Sequence, residues 1–277
     1  MPELPEVETV VRGLRQHLAG RRFREVRLNR ADLRTKLPRD LKAKLEGRRI
    51  EQIGRRAKYI LIHTDDDHVL LAHLGMSGRM TVHAAGGGWK EGKHDHVVFV
   101  LDDGTIVAFN DARRFGMMDR VAASALDKHK LLRDLGPEPL GNEFNGPRLA
   151  ESLKGKNTTI KAALLDQRVV AGLGNIYVSE ALYGAGLSPR RNAGTVQGAR
   201  ADALARSIRE TLTRAIAAGG SSLRDYVQAS GELGYFQHQW AVYGREGEKC
   251  PSCDCAAGIR RIVQNARSTF YCARNQR

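Results

Sequence analysis

The chain opens Met1-Pro2-Glu3-Leu4-Pro5-Glu6-Val7-Glu8, with a proline in the second position and a carboxylate beside it. Once Met1 is removed, Pro2 carries a terminal secondary amine. An unprotonated amine is a nucleophile toward a sugar carbon, and an α-amino group loses its proton nearer neutral pH than a lysine does. A secondary amine gives an iminium, cationic at any pH. That fixed charge is an electron sink, suited to glycosidic cleavage followed by elimination. A structural account covers the same residues. Proline in a first helical turn has no orphan N–H, and carboxylates there complement the helix macrodipole. Leu4, Val7, Val10, Val11, Leu14 and Leu18 recur at helical spacing before Gly20.

Four further stretches carry residue types with a chemical use. Gly172-Leu173-Gly174-Asn175-Ile176-Tyr177 lies between two helical patterns. Its glycines permit positive φ, and the N–H groups of the helix that Asn175 opens favour a phosphate, although an ordinary asparagine-capped turn has the same composition. Ala112-Arg113-Arg114-Phe115-Gly116 follows a strand and should project as a loop. An arginine next to an aromatic ring can fill the space of an extruded base, the ring stacking and the guanidinium bonding the orphaned partner; a solvated surface loop is the alternative. Met76 is a flexible apolar tip among glycines, usable as a wedge or as core filler. Lys58 follows two arginines at the start of a strand, where it would bind phosphate or protect an edge.

All four cysteines, Cys250, Cys253, Cys255 and Cys272, lie near the C-terminus. Disulfides that staple a whole fold would be spread along it, so clustering points to metal. One turn of thiols followed by a thiol across two strand-like segments describes a small zinc hairpin. Arg260, Arg261 and Arg267 lie within it.

The elements that must position these groups fall into two kinds. In 277 residues, 45 Lys and Arg face 31 Asp and Glu, a formal charge of +14 that favours a polyanionic partner, nucleic acid above all. No apolar run is long enough to cross a bilayer, and the acidic start is unlike a signal peptide, so a soluble, cytoplasmic protein is expected. Strand-like runs occupy Phe23 to Leu28, Arg49 to Ile53, Lys58 to His63, Val69 to His73, His96 to Leu101 and Thr105 to Phe109, with Asp103-Gly104 as a hairpin turn. From Thr158 the period is helical, through Ile160, Ala163 and Leu164, then Ile176, Ala181 and Leu182, then Val196 to Ile216 before Gly219-Gly220. The expected fold class is α+β: an N-terminal β-sandwich with a leading helix (1–130), a helical domain (131–235) and a C-terminal zinc-finger hairpin (236–277).

Taken together, the motifs resemble the formamidopyrimidine-DNA glycosylase family nearly end to end. They are the opening octapeptide, His73-Leu74-Gly75-Met76-Ser77-Gly78, Arg113-Arg114-Phe115-Gly116, Gly172 to Tyr177, Val242-Tyr243-Gly244-Arg245 and Arg267 to Cys272. The resemblance implies a bacterial, monomeric base-excision repair enzyme that removes oxidised purines from damaged double-stranded DNA and cuts the abasic site by β,δ-elimination. Its helical domain would be of the helix-two-turn-helix type. It would make Pro2 the nucleophile, Glu3 the acid for sugar ring opening and Glu6 a supporting carboxylate. Lys58, His73, Asn175 and Arg267 would hold phosphates, and Met76, Arg113 and Phe115 would fill the void left by the everted base. Ser221, Ser222, Leu223 and Arg224 would close over the lesion.

The finger departs from the family pattern of two CxxC pairs, since Asn275 stands at the last ligand position. One structural zinc ion (Zn2+) is expected on Cys250, Cys253, Cys272 and, as the fourth thiolate, Cys255. An endonuclease VIII type, preferring oxidised pyrimidines, and a non-catalytic damaged-DNA-binding protein are the competing readings.

Overall fold

The structure, a computed structural model, describes residues 1–221, 229 and 234–277. The chain divides into two compact units, Met1–Arg133 with Ala218–Gln237, and Asp134–Ala217 with His238–Arg277.

The first unit begins with helix α1, Leu4–Leu18. Leu4, Val7, Val10, Val11, Leu14 and Leu18 are fully buried along one face. At about 1.5–3 kcal/mol for each such side chain, burial far exceeds the ~1 kcal/mol of a helix cap. Packing therefore decides where the helix lies, and the cap decides where it starts. Glu3 is the N-cap, and Glu6 reaches back to accept its N–H at 2.8 Å. The first-turn proline is thus Pro5, and Pro2 precedes the helix rather than opening it.

The rest of this unit is β1 (Phe23–Leu28), the short α2 (Leu41–Leu45), β2 (Ile50–Arg56), β3 (Tyr59–Thr64), β4 (His68–His73), β5 (Arg79–His83), β6 (Asp95–Leu101), β7 (Ile106–Asn110) and β8 (Met117–Ala122). They form two four-stranded sheets, β1-β6-β7-β5 and β2-β3-β4-β8, with antiparallel neighbours throughout. Residues of both sheets and of α1 share one apolar core. The Asp103-Gly104 turn joins β6 to β7, with Gly104 at φ +86°. Strands β5 and β8, which periodicity misses, are sheet edges, where polar side chains such as Arg79, Thr81, Asp119 and Arg120 dilute the alternation. Lys58 is displaced from its expected strand into the two-residue turn between β2 and β3, because Arg56 already pairs with Tyr59.

The second unit is helical, with α3 (Gly146–Leu153), α4 (Ile160–Leu165), α5 (Asn175–Gly184) and α6 (Ala199–Ala217), followed by the hairpin β9 (Arg260–Gln264) and β10 (Arg267–Tyr271). Asn145 caps α3 by accepting the Arg148 N–H at 2.9 Å, and Thr159 caps α4. Helix α5 is buried from Ile176 to Tyr183, which makes it the centre of this unit. Asn265 and Ala266, at φ +50° and +58°, make the tight turn of the hairpin. Among the described residues no helix is long and apolar enough to cross a membrane.

Candidate functional site

Pro2, Glu3 and Glu6 are all buried at the start of α1. The two oxygens of Glu6 are shared between two segments. Oε2 accepts the Glu3 N–H at 2.8 Å, and Oε1 accepts the Ser221 N–H at 2.8 Å. Gly220, at φ +81°, brings its backbone so close that a Cβ there would lie 3.0 Å from Glu6 Oε1. Tyr235 N–H donates to the Ala218 carbonyl at 2.9 Å and Phe236 N–H to the Gly220 carbonyl at 3.0 Å, so both ends of the intervening segment meet beside Glu6. Ser222, Leu223 and Arg224 lie outside the described residues.

Lys58 is buried in the turn between β2 and β3, where Ala57 adopts φ +52°. Arg55 braces that turn, donating to the Ala57 carbonyl at 2.9 Å and to Glu8 Oε2 at 3.0 Å. Burial raises the Glu8 pKa, but the Arg55 and Arg12 guanidinium groups outweigh it and hold the carboxyl below its ordinary range. Across the β3–β4 ladder, His73 faces Tyr59, their rings 4.9 Å apart. Burial, then the positive charges of Lys58 and Arg34, push the His73 pKa down to about 4. Its Nδ1 accepts the Gly75 N–H at 2.9 Å, which leaves the proton of the neutral ring on Nε2 as a donor.

A histidine whose folded pKa lies below its unfolded value of about 6.5 stabilises the fold less as pH falls from there toward 4, because the unfolded chain takes up a proton the folded chain refuses. Relative to His73→Gln, the wild-type chain should lose about 3 kcal/mol of unfolding free energy between pH 7 and pH 4. Urea unfolding at each pH measures this, and a constant difference between the two proteins rejects it.

Met76, Arg113 and Phe115 come together on two loops of the first unit. Met76 and Phe115 are unusual in being large apolar side chains left 37% and 41% exposed. The Arg113 guanidinium carbon sits 5.0 Å from the Phe115 ring centroid, a cation–π arrangement that stiffens both side chains. Gly75 has φ +63°, and a Cβ on it would fall 2.3 Å from the Phe115 carbonyl carbon. Only glycine allows this backbone contact between the loops.

In the second unit the structure joins Asn175 to the segment that begins with Arg267. Gly174, not Asn175, is the N-cap of α5, and Gly172 at φ +86° turns the chain into it. Asn175 Nδ2 donates to the Ser268 carbonyl at 3.0 Å and to the Tyr243 hydroxyl at 3.3 Å. Arg267 itself is exposed at the start of β10. Two buried charged groups that periodicity does not reveal support this arrangement. Lys161 donates to the Ser268 carbonyl at 3.0 Å and the Thr269 hydroxyl at 2.5 Å. Glu180 accepts three successive N–H groups, from Ala241 at 2.8 Å, Val242 at 3.0 Å and Tyr243 at 2.8 Å. Burial raises the Glu180 pKa, and those donors oppose the rise. A charged residue inside an otherwise buried helical run is the available signal in both cases.

The sulfurs of Cys250, Cys253, Cys255 and Cys272 all lie within 4.8 Å of one another. Cys272 Sγ is 3.5 Å from both Cys253 Sγ and Cys255 Sγ. Four sulfurs around a tetrahedral ion with metal–sulfur bonds of about 2.3 Å stand ~3.8 Å apart, so the cluster is of the right size to hold a metal ion. Asn275 meets the cluster through its backbone, its N–H donating to Cys272 Sγ at 3.4 Å. The Tyr183 hydroxyl of α5 lies 3.3 Å from Cys250 Sγ.

Comparison with known proteins gives one answer along the whole chain. Residues 1–118 match the formamidopyrimidine-DNA glycosylase N-terminal domain, and residues 135–227 match the formamidopyrimidine-DNA glycosylase H2TH domain. The formamidopyrimidine-DNA glycosylase of Rhodospirillum centenum is 57% identical over 291 aligned positions that span 100% of both chains. The crystal structure of the MutM (Fpg) protein from Thermus thermophilus is similar with a TM-score of 0.87 and 40% identity, over 99% of this chain and 98% of that one. The wild-type Lactococcus lactis Fpg, in complex with DNA containing N7-benzyl-Fapy-dG, is similar with a TM-score of 0.89 and 34% identity over 100% of both chains.

Proposed function

The chain belongs to the formamidopyrimidine-DNA glycosylase family, and from that premise we propose which of its residues perform the family's reaction. It is a DNA glycosylase for oxidised purines, with abasic-site lyase activity. The observation that carries the assignment of residues is the pair of buried carboxylates, Glu3 and Glu6, directly after Pro2, with Glu6 also holding the Ser221 N–H.

With Met1 removed, the Pro2 nitrogen attacks C1′ of the damaged nucleoside and the bond to the base breaks. Glu3 protonates the ring oxygen as the sugar opens, leaving an iminium. The cation acidifies C2′, whose proton passes to water as the C3′–O bond breaks and the 3′ phosphate departs by β-elimination; loss of the C4′ proton then breaks the C5′–O bond and releases the 5′ phosphate by δ-elimination. Glu6 orders the Glu3 backbone for these steps. Lys58 and neutral His73, with its proton on Nε2, bind phosphate on one unit; Asn175 and Arg267 do so on the other. Met76, Arg113 and Phe115 fill the space of the everted base, and the segment that starts at Ser221 covers the lesion.

The partner is DNA, here specified as damaged duplex bound by a monomer in the bacterial cytoplasm. The parts are assigned as 1–130 for catalysis and void filling, 131–235 for the helical DNA contact and lesion loop, and 236–277 for the finger. The metal is assigned as zinc, since four cysteine sulfurs within 4.8 Å of one another suit a soft ion that needs no open position. It would keep the hairpin folded, with no part in the chemistry.

The test is incision of duplexes carrying 8-oxoguanine opposite cytosine or thymine glycol, with borohydride to trap the imine. Faster cutting of the purine, doubly eliminated ends and a covalent adduct are expected. Preference for thymine glycol would place the chain with the endonuclease VIII type, and binding without any adduct would make it a damage-binding protein.

A further inference from the structure

Asp111 follows β7, is fully buried, and distributes its carboxylate between the two loops that carry Met76, Arg113 and Phe115. Oδ1 accepts the Ser77 hydroxyl at 2.6 Å, and Ser77 Oγ in turn accepts the Arg113 N–H at 3.1 Å. Oδ2 accepts the Gly116 N–H at 2.7 Å. The segment from Arg113 to Gly116 is therefore pinned at both ends to one side chain. Between the pins, Arg114 holds φ +58°, a conformation a non-glycine residue keeps only where its surroundings enforce it. Ser77 directly follows Met76, so the same carboxylate fixes the other loop. Asp111 is itself fastened by its backbone, its N–H donating to the His94 carbonyl at 3.0 Å and its carbonyl lying 2.9 Å from His96 Nε2.

A buried carboxylate is destabilising unless its oxygens are fully used, and here they serve to align backbone. An asparagine, with one acceptor oxygen, could keep only one of the two acceptor roles. We propose that Asp111, acting through Ser77 and Gly116, is a positioning residue that clamps the Met76 loop and the Arg113–Phe115 loop into one rigid wedge, set to enter the stack as the damaged base leaves. Before DNA arrives, the exposed Met76 and Phe115 are thus already held for insertion, and the entropy of ordering them does not add to the barrier for base eversion. The proposal rests on the reading of Met76, Arg113 and Phe115 as void-filling residues.

Two substrates separate positioning from general damage to the fold. One is a duplex with 8-oxoguanine opposite cytosine, where a void must be filled. The other carries an abasic site whose opposite nucleotide is missing, where neither base needs replacing. In single-turnover excision, Asp111→Ala is expected to slow the paired lesion by about 10- to 100-fold, since hydrogen bonds to a buried charge are among the stronger ones. Asp111→Asn and Ser77→Ala should each fall between it and wild type. Borohydride trapping on the gapped abasic duplex should stay within about twofold for all three, as the Pro2 chemistry is untouched. Unchanged excision of the paired lesion, or an equal fall on both substrates, would overturn the clamp. If Asp111→Ala does not fold, Ser77→Ala decides alone, because it removes the link between the loops and leaves the buried carboxylate with Gly116. Arg113→Ala tests the underlying reading: were it to excise the paired lesion normally, void filling itself would fail, whereas an impaired Arg113→Ala beside a normal Asp111→Ala rejects only the clamp.

Discussion

A chain extended by one residue ahead of Pro2, or one that keeps Met1, is expected to give no borohydride-trapped adduct on an abasic duplex while still binding that duplex. In such a chain the Pro2 nitrogen belongs to a peptide bond, and resonance with the carbonyl removes the lone pair that would attack C1′. No neighbouring group can restore it. With Met1 gone, the same nitrogen is an α-amino group with a pKa of about 8, so a useful fraction is unprotonated at neutral pH. Met1 is 48% exposed and Pro2 is buried, so removal of the first residue uncovers an amine at a buried position that directly precedes Glu3 in the chain. Pro2→Gly, correctly processed, should trap about a hundredfold more slowly rather than not at all. Its primary amine forms an imine that must be protonated to draw electrons, and glycine loosens the terminus. Mass analysis of the adduct gives the answer, and trapping by the extended chain at the wild-type rate would remove Pro2 from the mechanism.

Pro2 also shows how far the sequence can be read. Its candidacy as a nucleophile is visible, since a terminal secondary amine beside a carboxylate can attack a sugar carbon, although a capped helix start has the same composition. Its place in the helix is not, because the reciprocal fit of Glu3 and Glu6 moves the first turn to Leu4 and Pro5. The sandwich follows from β-rich runs such as Phe23–Leu28, a strand at those same limits, whereas β5 and β8 are hidden among polar edge residues. Residues that act by tying distant segments leave little trace. Lys161 meets Ser268 across 107 residues, Glu6 meets Ser221 across 215, and Ser77 meets Asp111 across 34. Strand and helical periods register neighbours two to four positions away, so partnerships of this length become legible only when the chain is folded. The cysteines are the opposite case, since their proximity in sequence already limits where their sulfurs can be.

The cysteine cluster sets the second large effect. Cys255→Ser is expected to lose the bound metal as completely as Cys253→Ser, whereas Asn275→Ala should retain it. Asn275 offers the cluster a backbone N–H that alanine keeps, while the Cys255 sulfur stands 3.5 Å from that of Cys272. The loss should be severe because the thiols lie at the centre of the finger's small buried cluster. That cluster is Tyr183, Val242, Cys250, Ile259 and Cys272, so two of its five members are themselves thiols of the candidate metal site. Structural zinc in small fingers is worth about 10–16 kcal/mol at neutral pH, far more than so small a cluster supplies. Without the ion, Arg260, Arg261 and Arg267, all exposed on β9 and β10, are no longer held in a fixed array. Affinity for duplex DNA should then fall, and its dependence on salt should flatten by roughly 0.9 in log–log slope for each phosphate the arginines no longer neutralise. Imine trapping at saturating DNA should persist, because Pro2, Glu3 and Glu6 lie in the other compact unit. One zinc per wild-type chain by elemental analysis, none in Cys255→Ser, and a flatter salt slope in that variant is the expected set. A Cys255→Ser protein that keeps a full equivalent of zinc with wild-type affinity would show that three thiols suffice.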